Sequence, residues 1–188
     1  PNLYDVCEDN GYCLVGGYDE AIKKKDVEKM ILLPAEHLVN RSQGAEALPY
    51  AIDRKEGELS LPEIVEVAIA QLSTHDQFFM MAEGGKIDYA SHANDGGTVL
   101  REVLDFDDAI KVAYDFYLQH PDETLIIVTA DHETGGVALG QGQSWSNTFI
   151  DWAKIEEEWE KQKEVCLQDA QANAAFNEAA HIGWTTSY

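Results

Sequence analysis

Positive charge, cysteine and long apolar runs are all scarce in this sequence. Thirteen Lys and Arg face 35 Asp and Glu, giving a formal charge of -22 at pH 7 and a pI near 4.3. DNA, RNA and anionic membrane surfaces would be repelled by that balance, so no nucleic acid is expected as a partner. The cysteines are Cys7, Cys13 and Cys166, with no C-x-x-C, which indicates neither a zinc ribbon nor a disulfide framework. A Cys7–Cys13 bridge in an oxidising compartment and a pair of small buried thiols both stay open. The longest apolar runs, such as Phe78 to Ala82, are far too short to cross a bilayer, so no membrane partner is expected either. There is no G-x-S-x-G, no P-loop, no dinucleotide fingerprint and no internal repeat. The chain starts at Pro1 without an initiator Met or a basic-then-apolar leader, which reads as a mature, processed or excised piece.

What is present is enough for a packed core. Hydrophobic residues make up 45% of 188 residues and aromatics 10%, too rich for a disordered acidic tail. Two apolar stretches, Gly11–Gly17 and Lys29–Leu33, flank a short polar helix candidate at Asp19–Lys25, a βαβ rhythm. Residues 34–59 carry no steady period and read as a long connection or a small insert. Ser60-Leu-Pro-Glu63 is a helix start, with Ser60 as cap, Pro62 in the first turn and Glu63 closing a capping box. Gln77–Ala82 (QFFMMA) reads as an apolar strand ending in Glu83-Gly-Gly. From Thr98 the apolar positions Val99, Val103, Phe106, Ile110, Ala113 and Tyr117 step by four and three, a long amphipathic helix stopped by Pro121. Thr124–Ala130 (TLIIVTA) reads as a parallel strand covered on both faces. Asp151–Ala180 reads as a charged helix anchored by Trp152, Ile155, Trp159 and Phe176. Alternating strands and helices make the fold class α/β.

Two clusters carry chemistry, and each follows an apolar run. One is Glu83-Gly-Gly-Lys-Ile-Asp88-Tyr-Ala-Ser-His92; the other is Thr129-Ala-Asp131-His132-Glu-Thr-Gly-Gly. Ligands bind beyond the carboxyl ends of parallel strands, so two strands ending there would aim their acids and imidazoles into one crevice. Imidazoles with a few carboxylates suit zinc, and a carboxylate with waters suits magnesium. Asp88 and His92 are four apart, so one helical turn puts both on one face. Asp131 and His132 are adjacent and need an irregular backbone to converge, which Gly135 and Gly136 permit. Glu133 reads as a solvated acid beside the site, and His37, His75, His120 and His181 as structural or exposed. Asp105-Phe-Asp107-Asp108 lacks the Gly and terminal Glu of a calcium loop and falls in helix.

Taken together, E-G-G-K-I-D-x-x-x-H, an apolar run and T-A-D-H-E-T-G-G resemble the alkaline phosphatases over about Gln77 to Gly140. The resemblance implies part of a parallel-sheet sandwich of the alkaline phosphatase type, with helices on both faces. It treats the chain as a single fragment of that catalytic domain, with inserts at 34–59 and 151–180. It implies that Glu83 binds magnesium, that Asp88 and His92 bind one zinc, and that Asp131 and His132 bind a second. The implied reaction is phosphomonoester hydrolysis on small-molecule phosphate esters through a phosphoserine. A homodimer and a periplasmic or extracellular address are implied in the same way. A cation site would also let a protein of charge -22 attract a dianionic phosphate.

The departures are specific. The family's serine nucleophile follows an acidic residue, and this chain has no Asp-Ser pair. The bridging aspartate and the phosphate-clamping arginine also find no match. Gly183-Trp-Thr-Thr-Ser-Tyr188 resembles the approach to a His-Thr-Gly segment, but no such histidine follows. Tyr89 stands where well-known members carry Lys or His. The chain alone is therefore expected to be inactive and to bind metal weakly. Two other readings keep the same ligands: a phosphodiesterase or sulfatase of the same superfamily, and a non-catalytic metal-binding domain.

Overall fold

The computed structural model of the chain describes residues 2–24, 26–40, 48–139, 176–177 and 182–183. They divide into two compact units. The first is Pro1–Pro49 with Arg54–Glu83 and Asp105–Ile126; the second is Tyr50–Asp53 with Gly84–Leu104 and Ile127–Tyr188.

The first unit is built on the expected βαβ. After helix α1 (Leu3–Asp9), capped by the Asn2 side chain, strand β1 (Cys13–Gly16) pairs in parallel with β2 (Met30–Leu33). Helix α2 (Tyr18–Ala21) and a 3-10 turn (Ile22–Lys24) form the crossover. Val15 and Ala21 are fully buried and, with Val67, form a core against which Ile22, Met30 and Leu32 pack. Helix α3 (Ala35–Asn40) returns over β1. A Cβ at Gly16 would come within 3.2 Å of both the Ala35 Cα and Leu38, so glycine sets how closely strand and helix approach. Cys7 and Cys13 are unbridged thiols, each half-buried and neither fully buried.

Helix α4 (Leu61–Leu72) starts where the sequence says it should. Ser60 accepts from the Glu63 N–H, Glu63 reaches back to the Ser60 N–H at 2.8 Å, and Pro62 sits in the first turn. Val65 and Val67 face inward, and Gln71 donates to the Val27 carbonyl at 2.7 Å. The long helix α6 (Gly96–Gln119) begins two residues earlier than Thr98. Of the expected stripe Val103 is exposed and the other members are half-buried, while Glu102 and Ala109 are the buried positions past the first turn. Asp105 lies within α6, where it accepts a two-pronged bond from Arg54 at 2.7 and 2.8 Å. Among the described residues no helix is long and apolar enough to cross a membrane.

Both apolar runs expected to be strands differ. Residues 77–82 and 124–130 have neither strand nor helix, and no ladder pairs them with any described strand. Phe79, Met81 and Leu125 are 87%, 79% and 84% exposed. The physical reason is that a parallel strand has no stability of its own. It needs a neighbour on the hydrogen-bonding side and cover on both faces. The described sheet around β1 offers only two strands of four residues each. Phe78, also exposed, meets Phe116 of α6 edge-on at 5.9 Å.

In the second unit, helix α5 (Lys86–His92) is followed by the first turns of α6. Strand β3 (Ala138–Leu139) pairs antiparallel with β4 (Ile182–Gly183). The expected helix at 151–180 lies outside the described residues except Phe176 and Asn177, which are helical. Phe176 is fully buried, in keeping with its expected role as an apolar anchor.

Candidate metal centre

Helix α5 is held at both ends. At its start, the Lys86 ammonium lies 4.0 Å from the centre of the Tyr50 ring. The 50–53 segment is itself tied down, because the buried Glu102 carboxylate accepts from the Ala51 N–H at 2.6 Å. Burial, with the Glu102 charge adding to it, pushes the Tyr50 hydroxyl above its usual range; burial also raises Asp53, against the pull of Lys86.

At its end, α5 stops in a Schellman motif. Asn94 takes a left-handed φ of 53° and donates to the Ser91 carbonyl, while the Asp95 N–H reaches the Ala90 carbonyl at 3.0 Å. Asn94 is the only non-glycine residue with positive φ among those described. Asp95 then caps α6: its carboxylate accepts from the Thr98 N–H at 3.0 Å and the Thr98 hydroxyl at 2.9 Å. Asn177 completes the joint, donating to the Asn94 carbonyl at 2.8 Å and accepting from the Gly96 N–H at 3.2 Å.

Asp95 is only 5% exposed, and burial raises its carboxyl above the ordinary value despite the bonds from Thr98. A raised folded value means that the native state holds its proton longer than the unfolded chain does. Ionised Asp95 therefore costs stability, and that cost grows as pH rises from the unfolded carboxylate value, about 3.9, through the raised one. Asp95→Asn keeps a capping oxygen and removes the charge. Its urea midpoint relative to the natural chain is expected to rise across that window and then level off. Asp95→Ala loses the cap and is expected to cost about 1 kcal/mol. A pH-independent difference for Asp95→Asn would contradict the assignment.

Between these anchors α5 presents Asp88 and His92 on one face, as their spacing predicts. The His92 Nε2 lies 3.5 Å from Asp88 Oδ1, and the two side chains are 51% and 32% exposed. The second pair sits in the irregular 131–137 stretch, where Gly135 and Gly136 adopt φ of 76° and 64°. There His132 Nε2 lies 3.3 Å from Asp131 Oδ2, with side chains 57% and 84% exposed. Glu133 is exposed and accepts from the Gly136 N–H at 2.9 Å, a turn-stabilising role.

Thr134 joins the two pairs, and nothing in the sequence reading singled it out. Its hydroxyl donates to Asp88 Oδ1 at 2.5 Å, and its oxygen is 3.2 Å from His132 Nδ1. The signal that could have found it was its place in T-A-D-H-E-T-G-G, two residues past a candidate ligand. Glu83 belongs to the first unit and is exposed, and the exposed Tyr89 lies on α5.

The donor pairs fit a divalent ion of the zinc type. Ligand atoms of a tetrahedral site with bonds of about 2.0–2.1 Å lie about 3.3 Å apart, which the two nitrogen–oxygen separations approach. Among the described residues no three His, Cys, Asp or Glu converge on one point. Each pair by itself is short of the four donors of a closed tetrahedral zinc shell.

Comparison with known proteins identifies the family of the chain. The family model for alkaline phosphatase matches residues 2–187. Alkaline phosphatase 3 of Bacillus subtilis is 31% identical over 98% of this chain and 46% of its own length. The repressible alkaline phosphatase of Saccharomyces cerevisiae is 36% identical over 74% of this chain and 26% of its own. Among solved structures, a cold-active alkaline phosphatase from a Shewanella species superposes with a TM-score of 0.72 at 22% identity, covering 98% of this chain and 52% of that one. The enzyme of the Antarctic bacterium TAB5 gives 0.62 at 29%, covering 81% and 42%; a variant with Mg bound in its M3 site gives 0.59 at 30%, covering 74% and 37%. This chain spans about half the length of the first of these relatives. It belongs to the alkaline phosphatase family.

Proposed function

We propose that the chain contributes metal ligands to a phosphomonoester hydrolase that works through a serine nucleophile. The observation that carries the reading is the pairing of Asp88 with His92 and of Asp131 with His132, joined through Thr134. Asp88 and His92 would hold one zinc and Asp131 and His132 another; Glu83 would serve magnesium, in keeping with the Mg bound by the TAB5 variant. Bound there, the ions would supply Lewis acidity and positive charge to a phosphoryl group in an in-line displacement.

The chain's own residues do the positioning. Lys86 on Tyr50 and the Asn94–Asp95 joint fix the two ends of α5, and with them the aspartate and histidine of one pair. Gly135 and Gly136 shape the backbone just past the other pair. At a net charge of -22, the protein itself opposes a dianionic ester, so substrate attraction depends on cations at these carboxylates. We assign small phosphate esters as substrates, a homodimer as the assembly, and a periplasmic or extracellular address.

The reading requires a nucleophile from outside these 188 residues, because they contain no Asp-Ser pair. The purified chain is therefore expected to release no p-nitrophenol from p-nitrophenyl phosphate above the buffer rate, with zinc and magnesium present. Turnover that survives removal of contaminating enzyme would contradict this. The product of the whole gene tests the function itself: it is expected to prefer monoesters to diesters and sulfate esters in kcat/KM. A preference for diesters or sulfates would install the alternative substrate class. An encoded protein with no Asp-Ser pair and no turnover would leave a non-catalytic metal-binding role.

A further inference from the structure

The contacts of Thr134 determine where protons sit. A threonine hydroxyl has one proton to give and two lone pairs to offer. The proton goes to Asp88 Oδ1, since an ionised carboxylate only accepts. What faces His132 Nδ1 at 3.2 Å is therefore lone pair. The other neighbour of that nitrogen, the Glu133 carbonyl oxygen at 3.1 Å, is also an acceptor. Nδ1 thus meets two acceptors, and a neutral imidazole satisfies them only by carrying its proton there.

We propose that Thr134 is a positioning residue that fixes His132 as the Nδ1–H tautomer and couples it to Asp88. The inference rests on the reading of Asp88 and His132 as ligands of the two ions. Its consequence lies at the far side of the ring. With Nδ1 protonated, Nε2 presents a lone pair beside Asp131 Oδ2, 3.3 Å away, and the two form a ready pair of metal donors. In the opposite tautomer Nε2–H would donate to Asp131 instead, and both atoms would be lost to a cation. Thr134 and the Glu133 carbonyl hold one side of this competition and the Asp131 carboxylate holds the other. A ring nitrogen held by a fixed acceptor behind a ligating histidine is the usual way such tautomers are set. Here the hydroxyl also ties that acceptor to a ligand of the neighbouring pair, so the two pairs are oriented together.

The test is long-range proton–nitrogen correlation on the 15N-labelled chain, metal-free, at a pH about two units above the ordinary histidine value of about 6.5. His132→Gln identifies the signals. In the natural chain the His132 Nδ1 is expected to carry the pyrrole-type shift and Nε2 the pyridine-type shift. Thr134→Val keeps the shape and removes the hydroxyl, and is expected to move the tautomer ratio about fivefold toward Nε2–H, the weight of one net hydrogen bond. Thr134→Ser should restore the natural ratio. A natural chain with mainly Nε2–H would overturn the proposal, as would a valine variant with unchanged shifts. If the valine variant does not fold, the natural chain and the serine variant still decide the matter. Neither metal nor turnover enters this readout. Failure of phosphatase activity in the whole gene product would therefore remove the proposed function and leave the tautomer result standing.

Discussion

Asp88→Ala in the product of the whole gene is expected to lower kcat/KM for p-nitrophenyl phosphate by about a thousandfold or more, several kcal/mol of transition-state stabilisation. Three effects combine at this carboxylate. It is one half of the α5 donor pair, 3.5 Å from His92 Nε2. It accepts the hydrogen bond of the Thr134 hydroxyl, which in turn faces His132, so its loss disturbs the other pair as well. It is also the less exposed of the two aspartates, 32% against 84% for Asp131, so its charge is screened less by water. Asp131→Ala is therefore expected to be milder, by about tenfold, because it removes a donor without releasing Thr134. Asp88→Asn should fall between, since its amide oxygen still accepts from Thr134 while the charge is gone. Initial rates at saturating zinc and magnesium measure all three. An Asp88→Ala protein within twofold of the natural one would remove Asp88 from the site.

The largest stability effect is expected from Asp105→Ala, at about 3 kcal/mol in urea denaturation by linear extrapolation. The Arg54 guanidinium grips this carboxylate with both terminal nitrogens, and the two side chains are only 18% and 12% exposed. Removing the aspartate takes away the carboxylate that both terminal nitrogens of this largely buried guanidinium hold, and breaking such a pair costs far more than the pair contributes. The bond also spans 51 residues of sequence, holding the segment before α4 to α6. Asp115 on the same helix provides the contrast. Its bond to Lys111 is shorter, 2.6 Å, yet the side chains are 67% and 54% exposed. Asp115→Ala is expected to cost less than about 0.5 kcal/mol. Equal losses at the two positions would show that burial is not what makes the Arg54 pair matter.

What the sequence made legible was whatever local chemistry decides. The α4 capping box needs only Ser60 and Glu63, three residues apart, and both bonds formed as written. The Asp88–His92 pair needs only one helical turn. The βαβ unit was readable because its two strands are close in sequence and pair with each other. Residues 77–82 and 124–130 have the composition of strands, but pairing is a property of partners, and composition does not name them. Thr134 was missed for a related reason. A hydroxyl becomes informative only when a carboxylate 46 residues away is brought against it. Arg54 and Asp105 likewise look like two of many charges until the fold places one fork against the other. The family resemblance rested on the two motifs, and one residue of each, Asp88 and His132, lies beside the Thr134 hydroxyl.

The Asn94–Asp95 joint has a geometric consequence for the site. Helix α5 ends at His92 and α6 begins at Gly96, and the turn between them is closed by bonds to Ser91, Ala90 and Thr98. Such a junction transmits angular phase. Each residue advances a helix by about 100°, so one added or deleted between His92 and Asn94 would swing Asp88 and His92 round the axis by that amount. The direction in which the Asp88–His92 face of α5 points is thus indexed to the first turns of α6, and the length of this stretch, as much as its composition, specifies the candidate site.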